Sequence, residues 1–143
     1  MIPVPHSVQP KGEMTCVPVS VCMVLEFLGF EMTEAFIVEV RTILEWEPDG
    51  ATPMNIQKLD GEWGLDVSMG FMEVERLREL LDQFIPVIVV VETTPLPYRD
   101  NTALHTLVAV GYDDDNLYVN DGLEPASPIA IPWENFHNLT LSK

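Results

Sequence analysis

Basic residues are scarce in this chain. Seven Lys and Arg stand against 23 Asp and Glu, a formal net charge of −16 over 143 residues. A surface so short of cations repels phosphate backbones and anionic headgroups, which argues against nucleic acid and membrane surfaces as partners. Apart from Asp113-Asp114-Asp115 the acids are spread along the sequence, as on a solvated or salt-adapted surface. Long apolar runs are also missing. No stretch approaches the roughly 18 uninterrupted apolar residues of a membrane span, so no membrane insertion is expected. The opening Met-Ile-Pro-Val-Pro-His has neither a basic nor an apolar signal region, so no secretory signal is read. Cysteine is limited to Cys16 and Cys22. On one helix their Cα atoms would stand about 9 Å apart along the axis, beyond the roughly 7 Å that a disulfide tolerates. With neither a disulfide nor a paired Cys or His motif, a structural zinc site is not expected, no cofactor is implied, and a reducing cytoplasm fits.

What is present suits one domain over residues 1–143. Hydrophobic residues make up 47% and charged residues 21%, at a length that buries a core unaided. Residues 1–14 are Pro-rich and read as an extended arm and loop. Thr15 reads as an N-cap for a helix from Cys16 to Leu28, apolar on almost every face and stopped by Gly29. Thr33 caps a second helix to about Leu44, with Phe36, Ile37, Val40 and Leu44 inward. Glu47 to Gly50 reads as a turn. Thr52-Pro53 opens a third helix, ended near Gly61 or Gly64. A short strand is expected over Leu65 to Met69, then a fourth helix from Phe71 to Phe84 with Val74, Leu77, Leu80, Leu81 and Phe84 inward. Strands follow at Val87–Val91, His105–Tyr112 and Leu117–Asn120, the last two joined by an acidic hairpin turn. A loop separates the first pair, and a last strand at Pro125–Ile131 precedes a helical turn at Trp133–Phe136. Helices first and an antiparallel sheet afterwards make an α+β domain.

Cys16 occupies an unusual place, the first turn of a buried helix directly after a loop. The positive end of the helix dipole favours thiolate there, and free backbone N–H groups can hold an oxyanion. Cys22 falls mid-helix among Val21, Met23 and Val24, where a thiol is packing. A cysteine nucleophile needs a base, and His105 opens a strand at the edge of an apolar run. His6, in the arm, and His137, near the C-terminus, are weaker candidates. The base needs an orienting group. Period-two alternation puts Leu117, Val119 and Asp121 on one face, with Tyr118 and Asn120 on the other, so Asp121 rather than Asn120 is expected to meet His105. Gln9, seven residues before Cys16, is a candidate oxyanion donor.

The order Gln9, Cys16, His105, Asp121 resembles that of the papain-like cysteine peptidases. The closer resemblance is to the bacteriocin-processing peptidases that cut double-glycine leaders at the front of ABC exporters, and to their free-standing relatives. Cys16-Val17-Pro18 and Met23 to Gly29 look like the nucleophile helix. Pro86 to Val89, His105 to Tyr112 and Leu117 to Asp121 look like the sheet. The chain departs from the family where Thr15 and Val17 flank the cysteine and Gly122 follows the aspartate. The resemblance implies a papain-like fold with N-terminal helices packed on an antiparallel sheet. It assigns Cys16 as nucleophile, His105 as general base and acid, Asp121 as its orienter and Gln9 as oxyanion donor. The expected partner is a peptide or small amide substrate. The alternative is a catalytically silent papain-like module that grips a leader or partner peptide.

Overall fold

The computed structural model describes residues 1–6, 16–47, 53–71, 73–92, 104–122, 128–133 and 140–142. The expected Thr15 cap, most of the Glu47–Gly50 turn and the expected Thr93–Asn101 loop lie outside these residues, as does the helical turn beyond Trp133.

Helix α1 spans Cys16–Phe27. Gly29, at φ 103°, ends it with backbone bonds from Gly29 N–H to Glu26 O and from Phe30 N–H to Leu25 O. That paired bonding around a left-handed residue satisfies carbonyls the last turn would leave bare. Helix α2 spans Glu34–Ile43, and Thr33 caps it by accepting from Phe36 N–H at 3.1 Å. Val40 and Leu44 are fully buried, with Phe36 and Ile37 packed at the margin. The third helix is a 3-10 helix, Pro53–Leu59, followed by a second short one, Glu62–Gly64. The segment 65–68 is not a strand; β1 is Met69–Phe71, and α3 begins later than expected, at Val74–Asp82.

Leu77, Leu80 and Leu81 of α3 face inward, but Phe84 does not. It is 60% exposed, because the helix has already ended and Phe84 sits at φ 60°. Phe84 N–H to Leu81 O and Ile85 N–H to Leu80 O close the terminus, and Ile85 takes the inward place.

Strands β2 (Val87–Glu92), β3 (Leu104–Tyr112) and β4 (Asn116–Asn120) follow closely the ranges read from sequence. Strand β5 is Ile129–Pro132; residues 125–127 of the expected Pro125–Ile131 strand lie outside the described residues. Strand β6, Thr140–Ser142, has no counterpart in the sequence reading. The sheet runs β1-β6-β2-β3-β4-β5, every neighbouring pair antiparallel. One apolar cluster joins Val87, Val89, Leu107, Ala109, Leu117 and Val119 of the sheet to the inward leucines of α3 and to Met23 of α1. A second joins Ile88 to Val17, Val21, Cys22 and Leu25 of α1 and to Val40 and Leu44. Helix α1 contributes to both clusters, so its apolar residues have no exposed face to be wasted on. The result is the α+β arrangement of helices on an antiparallel sheet.

Candidate active site

Cys16 is the first residue of α1. Pro18 falls two residues later, in the turn where a helix tolerates a missing N–H. The first-turn N–H groups carry the positive end of the helix dipole, which lowers the cost of a thiolate and supplies donors for an oxyanion. The Cys16 side chain, Gln9 and His137 lie outside the described residues.

The helix that carries Cys16 is tied to the strand that carries His105. Ser20, one turn along α1, is fully buried and donates its hydroxyl to the Thr106 carbonyl at 3.1 Å. This bond ties the first part of α1, one turn after Cys16, to β3. Sequence reading missed Ser20; its only signal is a hydroxyl in an otherwise apolar run.

His105 and Asp121 meet. Nε2 of His105 lies 2.7 Å from Oδ1 of Asp121, with the side chains 3% and 0% exposed. An ionised carboxylate only accepts, so the ring donates from Nε2, and in the neutral ring the lone pair then belongs to Nδ1. Strand pairing explains the contact. The register runs Ala109↔Val119 and Val108↔Asn120, and one step further puts 107 opposite 121. His105 is then the diagonal neighbour of Asp121 on one face, within reach of a long side chain. Asn120 goes elsewhere, donating its amide to the Val4 carbonyl at 3.0 Å.

Cys22 is chemically the opposite of a nucleophile. Burial among Val21, Leu25 and their neighbours pushes its thiol up to about 11, a trend Glu26 reinforces and Arg41 opposes. At neutral pH it is a packed thiol. His6 does enter the region: its Nε2 lies 2.9 Å from the Asp121 backbone carbonyl.

Among the described residues, no cluster of three or more His, Cys, Asp and Glu side chains could hold a metal ion, and no helix is long and apolar enough to cross a membrane. A cavity of about 610 Å³ opens beside the C-terminal end of α1, lined by Val24, Leu28, Trp63 and Phe84 among others. Neither His105 nor Asp121 lines it.

The whole chain resembles known proteins. The model of the "Peptidase_C39 like family" matches residues 1–140. Among solved structures, a protein described as a C39-like peptidase from Bacillus anthracis superposes with a TM-score of 0.75 at 15% identity, covering 99% of this chain and 94% of that one. A double-glycine motif protease from an AMS/PCAT transporter, solved in complex with the leader peptide, gives a TM-score of 0.67 at 22% identity, covering 98% and 90%. At those identities the likeness is one of fold. No curated protein matches the chain.

Proposed function

This chain belongs to the Peptidase_C39 like family, and on that premise we propose that it is a thiol peptidase or amidase working through Cys16, His105 and Asp121. The family and fold support a peptidase or a leader-peptide-binding module. The observation that carries the finer reading is the buried 2.7 Å bond between His105 and Asp121. A carboxylate fixed on Nε2 orients the ring, sets its tautomer and stabilises the imidazolium, which is what a thiol nucleophile requires of its base.

In this reading the Cys16 thiol gives its proton to His105, and Sγ attacks the substrate carbonyl carbon. The carbonyl oxygen becomes an oxyanion, held by the Cys16 backbone N–H and the Gln9 amide. The C–N bond breaks as His105 returns the proton to the departing amine, leaving a thioester. Water, deprotonated by His105, attacks that carbon; the S–C bond breaks, releasing the acid and regenerating the thiol.

The second reading is a module that binds a leader or partner peptide without cutting it. The apolar cavity at the far end of α1 and the leader peptide bound to the transporter protease favour it. One experiment separates the two. Alkylation by iodoacetamide is followed by mass mapping from pH 5 to 10 in the wild type and in His105→Ala. A peptidase site gives Cys16 modification far faster than Cys22, with an acid-side limb that His105→Ala removes. Equal rates at both thiols, or an unchanged profile, would leave only the binding module.

A further inference from the structure

The N-terminal arm is stitched to the sheet at every second residue. Ile2 N–H donates to the Val110 carbonyl at 2.7 Å, and Ile2 and Val4 are 4% and 8% exposed within the core. Val110 is where the β3–β4 register slips, between Ala109↔Val119 and Gly111↔Tyr118, so the arm meets β3 at its irregular point. The Val4 carbonyl accepts from the Asn120 amide at 3.0 Å. The Nε2 of His6 reaches the Asp121 carbonyl at 2.9 Å. A carbonyl only accepts, so His6 donates and its Nε2 carries the proton.

Asp121 stands one residue past β4, whose last ladder pair with β3 is Val108↔Asn120. Regular strand pairing therefore stops just before the residue whose carboxylate holds His105. The arm supplies contacts at that place, one to the Asn120 side chain and one to the Asp121 main chain. Three residues further along the same arm comes Gln9.

We propose that His6 is a positioning residue: by donating to the Asp121 carbonyl it fixes the backbone from which the Asp121 carboxylate orients His105. This rests on the reading of Cys16, His105 and Asp121 as a catalytic set. His6 acts through Asp121 and does not touch the reacting atoms.

The test compares His6→Leu, which loses the donor, with His6→Gln, whose amide can donate to the same carbonyl. Cys16 alkylation by iodoacetamide is measured against pH in the full chain, beside thermal melts and beside His105→Ala. His6→Leu should slow alkylation near pH 7 by about two- to tenfold, the range spanned by one net hydrogen bond. The acid limb of the profile should move to higher pH, and His6→Gln should restore both. A merely structural role would lower the melting temperature without moving the limb. A wild-type profile in His6→Leu, with His105→Ala still impaired, overturns the clamp and leaves the catalytic set standing. A wild-type profile in His105→Ala overturns both. Should His6→Leu fail to fold, His6→Met takes its place, with the same outcomes.

Discussion

Replacing Ser20 with Ala removes a single oxygen, and the structure says where the loss is felt. That hydroxyl is fully buried and bonds the Thr106 carbonyl across 86 residues of sequence, from α1 to β3. A neutral hydrogen bond of this kind contributes about 1 kcal/mol net. Leaving the carbonyl short of a partner raises the loss toward about 2 kcal/mol, since a buried acceptor forfeits its hydration as well. For a domain of this size that lowers the melting temperature by about 3–7 °C. Stability is not the only consequence. Cys16 lies one turn before Ser20, and His105 immediately precedes Thr106, so the bond sets the separation between the helix that carries Cys16 and the strand that carries His105. Misplacing reacting groups by a fraction of an ångström slows a pre-organised reaction, and about a threefold drop in Cys16 alkylation at pH 7 is expected. The assay is the iodoacetamide rate in the wild type and in Ser20→Ala. Thr42→Ala is the control, because the Thr42 hydroxyl bonds Val38 O on the exposed side of α2 and spans nothing. Ser20→Ala with unaltered melting and unaltered Cys16 reactivity would refute the reasoning.

Two further outcomes are expected. Cys22 keeps its proton in the folded state up to about 11 but loses it near its ordinary 9.0 when unfolded. Stability is therefore undiminished below about pH 9 and falls as the pH rises through 9 to 11, by up to about 3 kcal/mol. Urea melts compared with Cys22→Ala isolate this slope from Tyr112 and Tyr118, whose hydroxyls are also pushed up by hydrogen bonds to Asp82 and Asp113; identical slopes in both proteins count against it. Glu45 ends α2 at φ 54°, where a side chain costs about 1 kcal/mol that Gly does not incur. Its ion pair with Lys58 is exposed and contributes little. Glu45→Gly should therefore gain about 0.5 kcal/mol in denaturant melts, and a loss would show that the pair outweighs the strained backbone.

The parts of the fold that were legible are those written in local pattern. The apolar run after Cys16 can only be a buried helix, Thr33 caps α2, and the β-branched run from Val87 is a central strand. Three features escaped for physical reasons. The helix after Pro53 winds as 3-10, which its composition does not distinguish from α. Phe84 continues the apolar spacing of α3 but stands after the helix has turned left-handed, so periodicity points it the wrong way. Strand β6 is three residues long and gains its place between β1 and β2 only by pairing with both, a long-range fact that no short window contains.

The same division runs through the candidate site. His105 and Asp121 are separated by 16 residues, within a hairpin whose period and turn can be read directly. Alternation alone put Asp121, not Asn120, on the face with Leu117 and Val119, and the 2.7 Å contact follows from that alternation together with the register at Val108↔Asn120. The supports around the pair have no such local code. Ser20 meets Thr106 across 86 residues and His6 meets Asp121 across 115. A lone serine in an apolar helix and a lone histidine in a proline-rich arm carry no periodicity that would single them out. Each gains meaning only once β3 and β4 are assembled and offer a carbonyl to it. A hairpin can thus place a carboxylate beside an imidazole by itself, whereas tying its strands to α1 and to the N-terminal arm needs residues from the opposite end of the chain. Substitutions at Ser20 and His6 should accordingly change how well the pair works while leaving the His105–Asp121 pairing register intact, and substitutions within the β3–β4 hairpin should do the reverse.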